Sequence, residues 1–217
     1  MSRWCALLLF GGVLVAAETT RFTFDGDAPG RPPAGFVFTE SANDAPGVWV
    51  VRDDDAPGRG RVLVQSSAAG RGSRFPMAVL EGMVAADVDV SVKIKPIAGR
   101  EDQAGGLVWR YQDPGHYYVV RVNALEGNVV LYKVAAGQRV DLPLTGEGRT
   151  YGKKAAVSTG QWGELRVVAA GPRFDVFWNG ARLFVVEDAT FSQPGRVGLW
   201  TKADSVTAFD DLTVVTR

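Results

Sequence analysis

Six polar residues in short alternating runs have the types and spacing to meet a polyhydroxylated ligand: Lys95, Arg110, Tyr117, Arg121, Asn123 and Lys133. Guanidinium and amide groups present planar donor sets and ammonium groups rotatable ones, and both suit vicinal hydroxyls. Tyr117 adds a ring face with a polar tip. Trp200, followed by Lys202 and Asp204, would supply a stacking platform, although aromatic side chains of that size more often fill cores. Convergence of the six depends on strand parity, because successive residues of a strand point to opposite faces. With Leu107, Trp109 and Tyr111 facing a core, Val108 and Arg110 face away. Tyr118, Val120 and Val122 inward put Tyr117, Val119, Arg121 and Asn123 outward. Val130, Tyr132 and Val134 inward leave Val129, Leu131 and Lys133 outward. In 86–97, inward Val88, Val90, Val92 and Ile94 leave Asp87, Asp89, Ser91, Lys93 and Lys95 outward. Neighbouring strands would then gather all six on one surface. A solvated sheet face shows the same alternation. Cations on adjacent strands nevertheless repel unless something answers them. As an outward residue, Arg121 is expected to matter more to a ligand than to stability.

Signatures of catalysis are thin. Asp87-Val88-Asp89-Val90-Ser91 places two carboxylates on one strand face, and a carboxylate pair is the minimum for glycoside hydrolysis. A charged strand entrance explains the same residues. Glu126 and Asp102 sit at a turn and just before a strand, where caps are expected. His116 is the sole histidine and follows a turn, so neither a zinc site nor a Ser-His-Asp triad is supported. Gly58-Arg59-Gly60 and Gly70-Arg71-Gly72 open no helix and make no phosphate cradle. No cofactor is implied. A structural calcium on Asp25, Asp27 and Asp211 has the right oxygen chemistry, against the commoner use of such residues as turn caps.

The elements that must position these residues are almost all strands. Helical periodicity is nearly absent, and apolar–polar alternation in short runs is broken by Gly, Pro, Asn and Asp. Fifteen such runs lie between residues 21 and 215, a spacing that predicts a sandwich or barrel. The meander 105–134 reverses at Asp113-Pro114-Gly115 and at Glu126-Gly127-Asn128. Asn179-Gly180 between Phe174–Trp178 and Ala181–Val185 predicts a tight hairpin with two positive φ angles. No internal repeat suggests a propeller or solenoid. Long gaps at 53–60, 66–76 and 145–160 are read as functional or mobile loops.

The chain has 217 residues with 24 basic and 24 acidic side chains. That balance argues against a nucleic-acid partner or an anionic membrane surface. Arg3, the apolar run from Trp4 to Val15 and the small residues Val15-Ala16-Ala17 match a signal peptide over 1–17. The run is shorter than the roughly 20 residues of a membrane span, and no later stretch is apolar enough to be one. The single cysteine, Cys5, falls inside this segment. The domain expected over 18–217 must therefore be held by its core rather than by disulfides.

The string Asp102-Gln103-Ala104-Gly105-Gly106-Leu107-Val108-Trp109-Arg110-Tyr111 resembles the concanavalin A-like lectin/glucanase superfamily. So do Tyr117-Tyr118, Arg121-Val122-Asn123, Asn128-Val129-Val130-Leu131-Tyr132-Lys133, Gly198-Leu199-Trp200-Thr201-Lys202 and Phe209-Asp210-Asp211. Within it the chain is most similar to bacterial secreted 3-keto-disaccharide hydrolase domains and laminin-G-like modules, over residues 85–217 best. The resemblance implies an all-β, two-sheet antiparallel jelly-roll sandwich with a concave face that holds carbohydrate. The expectation is a secreted, periplasmic or cell-envelope domain that binds a carbohydrate or glycan surface through Lys95, Arg110, Tyr117, Arg121, Asn123, Lys133, Trp200 and Lys202. A glycoside hydrolase acting on keto-sugars or oligosaccharides, and a cell-envelope adhesion module, are the alternatives.

Overall fold

The computed structural model describes residues 17–41, 46–56 and 58–216. Their strands are β1 (Glu18–Phe22), β2 (Phe36–Glu40), β3 (Trp49–Asp53), β4 (Arg61–Gln65), β5 (Pro76–Ala85), β6 (Val88–Ala98), β7 (Ala104–Asp113) and β8 (His116–Asn123). After these come β9 (Asn128–Ala135), β10 (Gln138–Asp141), β11 (Lys153–Lys154), β12 (Gly163–Ala170), β13 (Arg173–Trp178), β14 (Ala181–Glu187), β15 (Gly195–Thr201) and β16 (Val206–Thr216). No helix occurs among the described residues. The expected signal segment, apart from Ala17, lies outside them.

The strands form two antiparallel eight-stranded sheets. The first runs β14-β13-β12-β6-β16-β4-β3, with β1 also on β16; the second runs β10-β9-β8-β7-β15-β5-β2, with β11 also on β9. This is the jelly-roll sandwich. The hairpin at Asn179-Gly180 forms as expected, with φ of 49° and 78°.

The main core lies between the sheets. Val88, Val90, Val92 and Ile94 of β6 and Leu165, Val167 and Ala169 of β12 face Leu107, Trp109, Tyr118, Val120 and Val122 of the second sheet. Trp109 stacks on Tyr118 at 5.5 Å, and Phe174 of β13 meets both rings, at 5.2 and 4.7 Å. A second buried cluster belongs to the second sheet alone and occupies its outer face: Met77, Val108, Tyr117, Val119, Val130, Tyr132 and Trp200 are among its members. The strands β7, β8 and β9 are thus buried on both faces. That explains why their sequences are apolar at almost every position.

The structure corrects three of the expected placements. Val129 and Leu131 of β9 face the main core, and Val130, Tyr132 and Val134 face outward. Tyr111 joins the outer cluster, because the β7–β8 register shifts between Trp109 and Asp113, where Arg110 has a φ of 47°. The strand β6 lies in the first sheet, so its outward side chains share no surface with those of β8.

Candidate functional site

The outer face of the second sheet carries a polar network at the β8–β9 end. Alternation along β8 brings Tyr117, Val119, Arg121 and Asn123 to this face. Arg121 is 1% exposed and fans its donors over four partners. Nη2 donates to Glu126 Oε2 at 2.7 Å, to the Tyr132 hydroxyl at 3.1 Å and to the Tyr151 hydroxyl at 3.4 Å, and Nη1 donates to Asn128 Oδ1. Tyr132 in turn donates to Tyr151 at 2.9 Å. Asn123 Nδ2 bridges two acids, donating to Asp102 Oδ1 at 2.7 Å and Glu126 Oε1 at 3.2 Å. Lys202 closes the other side by donating to Asp102 Oδ2.

Loops hold the rim of this network. The Asp204 carboxylate accepts from the backbone of Arg100, Glu101 and Asp102, which fixes Asp102 in place. Burial pushes the Asp204 carboxyl up, but these N–H groups outweigh it and hold it below the usual range. Tyr151 adopts the left-handed region at φ 55° and is followed by Gly152 at φ 73°. A Cβ on Gly152 would lie 2.0 Å from the Val129 carbonyl oxygen, so the loop passes this close to β9 only with glycine there. The Tyr151 ring meets Tyr132 edge-on at 6.1 Å and is 45% exposed. A small open pocket of about 150 Å³ adjoins it, lined by Asn128, Thr150, Tyr151, Gly152, Lys153 and Lys154. A larger cleft of about 410 Å³ lies elsewhere, by Phe22, Leu80 and Met83, and gathers no comparable polar set.

The electrostatics are those of an ionised, balanced network. Burial acts upward on the Glu126 carboxyl, but Arg121, with help from Asn128, holds it below the usual range. Burial opposes the charge on Arg121, while Tyr132 and Glu126 raise its pKa. Burial raises the pKa of Tyr132 and Tyr117, so both are neutral phenols, and Tyr132 donates its proton to Tyr151.

The structure puts five of the eight expected residues on this face, Tyr117, Arg121, Asn123, Trp200 and Lys202, but Tyr117 and Trp200 are fully buried in its apolar cluster and offer no open ring face or stacking platform. The other three lie elsewhere. Lys95 is on the outer face of the first sheet, where its Nζ donates to Asp54 at 2.5 Å and to Asp55 and lies 5.1 Å from the Trp162 ring. Arg110 turns into the rim between the sheets through its positive φ. It donates to the carbonyls of Ala86, Phe191 and Gly171 at 2.7, 2.8 and 2.6 Å and to Asp87 at 3.2 Å. Lys133 shares the inward parity of Leu131 and donates to Asp188 and Thr190 at 2.8 and 2.7 Å. These two cations fasten loops at one end of the sandwich.

Other candidates are also accounted for. Asp89 accepts a bidentate pair from Arg166 at 2.7 and 2.6 Å, so the Asp87–Asp89 motif is engaged on the first sheet. The His116 ring bonds Asp113 of its own turn at 2.9 Å and accepts from the Ala136 amide of the β9–β10 turn at 3.2 Å. Asp25 caps the Arg61 amide, Asp211 pairs with Arg21 and Lys93, and no group of three metal-ligating side chains occurs among the described residues. Sequence reasoning missed Glu126, Asn128, Tyr132 and Tyr151 as members of this network. The one signal for Tyr151 was its place in the long 145–160 gap.

Several solved structures share this architecture. The carbohydrate-binding module CBM66 from Bacillus subtilis matches with a TM-score of 0.60 and 18% identity, over 81% of this chain and 92% of its own. Domain 4 of AbnA, a GH43 extracellular arabinanase from Geobacillus stearothermophilus in complex with arabinotriose, matches at 0.58 and 19%, over 92% and 93%. A Bacillus subtilis protein of unknown function with a galectin-like fold matches at 0.53 and 10%, over 83% and 90%. The likeness is one of fold. No protein-family model and no curated protein matches the sequence, so the finer resemblance to 3-keto-disaccharide hydrolase domains gains no support of its own.

Proposed function

We propose that this chain is an exported carbohydrate-binding domain whose binding surface is the outer face of the second sheet. The observation that carries the reading is the network of Arg121, Asn123, Glu126, Asn128, Tyr132 and Tyr151 on that face. Its donors and acceptors are fixed on strands or against them, so a sugar meets a pre-ordered set of groups and little side-chain freedom is lost on binding. Tyr151, the exposed member, and the partly exposed Glu126 would touch it first. The names of the two bacterial neighbours, a carbohydrate-binding module and an arabinanase domain bound to arabinotriose, support the same reading. Hydrolysis has less support. Glycoside cleavage needs one acid kept protonated near neutral pH; on this face Glu126 is held low, Asp87 and Asp89 serve Arg110, Gly171 and Arg166, and the raised carboxyl of Asp210 lies on β16 of the other sheet.

The test is a glycan array with the protein recovered after export, its intact mass beginning at Glu18, followed by calorimetry on the best oligosaccharide. Tyr151→Ala is expected to weaken that binding by about 1–2 kcal/mol, from a lost ring contact and hydroxyl. The proposal is lost if no glycan is retained, or if Tyr151→Ala binds as the unaltered protein does.

A further inference from the structure

We propose that this face takes a glycan bearing a carboxylate, and that Arg139, Tyr117 and Trp200 receive that carboxylate; the inference rests on the carbohydrate reading above. Arg139 of β10 lies across three aromatic rings. Its guanidinium carbon is 4.5 Å from the Tyr132 centroid, 4.8 Å from Phe75 and 5.9 Å from Trp200. Its buried Nη1 has no hydrogen-bond partner, and among the described residues no ion pair forms to it. The Trp200 indole N–H and the Tyr117 hydroxyl, both on fully buried side chains, face each other without a well-aligned hydrogen bond, and neither has another partner. Tyr117 sits beside Trp200 and in the field of Arg139.

Buried donors almost always find an acceptor, and each one left without costs free energy. Three in one cluster therefore mark the place of an acceptor from outside the chain. A hydroxyl could answer one or two of them. A carboxylate answers all three, since its two oxygens offer about four lone-pair sites, and it also supplies the negative charge that Arg139 lacks. Arg121 makes the contrast, because Glu126 already neutralises it. The acids near Arg139 do not replace such a ligand. Asp141, on the same strand face, binds Arg149 through Oδ1, and its Oδ2 is left as an acceptor for a sugar hydroxyl. Glu40, whose charge reaches Tyr117, accepts from the Phe75 amide. Access runs through Arg139, the partly exposed member of the set.

Calorimetry on the full protein decides the matter, with trigalacturonate, trimannuronate and glucuronate-bearing xylo-oligosaccharides compared with the same molecules after reduction of their carboxyl groups. At least one uronate is expected to bind at least about tenfold more tightly than its reduced form, a ratio typical of losing charge-assisted hydrogen bonds. Arg139→Gln should abolish that ratio, the uronate losing at least about tenfold more affinity than its reduced form. The comparison of the two sugar sets needs no variant, so a poorly folded Arg139→Gln does not obscure it. Equal binding of acidic and reduced forms would overturn the carboxylate inference and leave the carbohydrate reading standing. Binding of neither set would overturn both.

Discussion

Two arginines that looked alike in sequence do opposite things. Arg110 is 2% exposed, and three of its four hydrogen bonds go to backbone carbonyls in separate loops. Every donor it turns inward is answered, which is the mark of a fastener. Arg121 is as deeply buried, yet its partners are side chains on the outer face, one of them half-exposed. Its burial corrects the expectation that Arg121 bears little on stability, because removing it would leave Glu126 and Asn128 without their main partner. For Arg110 the expected outcome is specific. Arg110→Gln should lower stability by about 3 kcal/mol, since several hydrogen bonds to a charged group are lost and their acceptors stay in a crowded rim. Glycan affinity should be unchanged, because no atom of Arg110 reaches the outer face. Denaturant unfolding and calorimetry on the same preparation check both halves, and a loss of affinity without a loss of stability would return Arg110 to the site.

At the scale of the strands, position was legible and orientation only in part. Glycine, proline and Asx residues punctuate the chain at nearly every turn, so β7, β8 and β9 were found within a residue or two. Parity held in β8, where Arg121 and Asn123 single out one face. It failed in β9, because Asn128-Val129-Val130-Leu131-Tyr132-Lys133-Val134 is apolar at both parities, and both faces are buried. It failed at Arg110 because no sequence signal marks a bulge set by a non-glycine residue at positive φ. Nor does alternation tell which sheet a strand joins: β6 and β7 follow one another in the chain and lie in opposite sheets. The 151–154 segment shows how an element too short to foresee places a functional side chain. Gly152→Ala should force β11 away from Val129, withdraw Tyr151 from the network and weaken glycan binding by about as much as Tyr151→Ala, with a stability cost of about 1–3 kcal/mol for the strained position. Full affinity in Gly152→Ala would show that the placement of Tyr151 is immaterial.

The whole molecule has no disulfide to rely on, and its many internal ion pairs make its stability depend on pH in opposite senses on two sides. Burial raises the Asp54 and Asp188 carboxyls, but Lys95 and neighbouring hydrogen bonds for the first, and Lys133, Thr190 and Tyr118 for the second, bring each down to about 2. A depressed folded-state pKa stabilises above the unfolded value near 3.8, and that contribution is lost as pH falls from there toward 2. Asp210 acts the other way. Burial, with Asp211 alongside, lifts it to about 6. The native state then holds a proton that the unfolded chain has released, so stability falls as pH climbs from about 4 to about 6 and stays lower above that. The drop is on the order of 2 kcal/mol. Together these terms place the stability maximum between about pH 4 and about pH 5, with a steep acid limb and a shallow neutral one. Asp210→Asn keeps an oxygen for the Asp211 amide and removes the charge. It should flatten the neutral limb, raising stability at about pH 7 by roughly that amount while leaving stability at about pH 4 unchanged. Unfolding followed by tryptophan fluorescence across this range measures both limbs, and a variant that gains equally at both ends would show that the shifted carboxyl is not the cause.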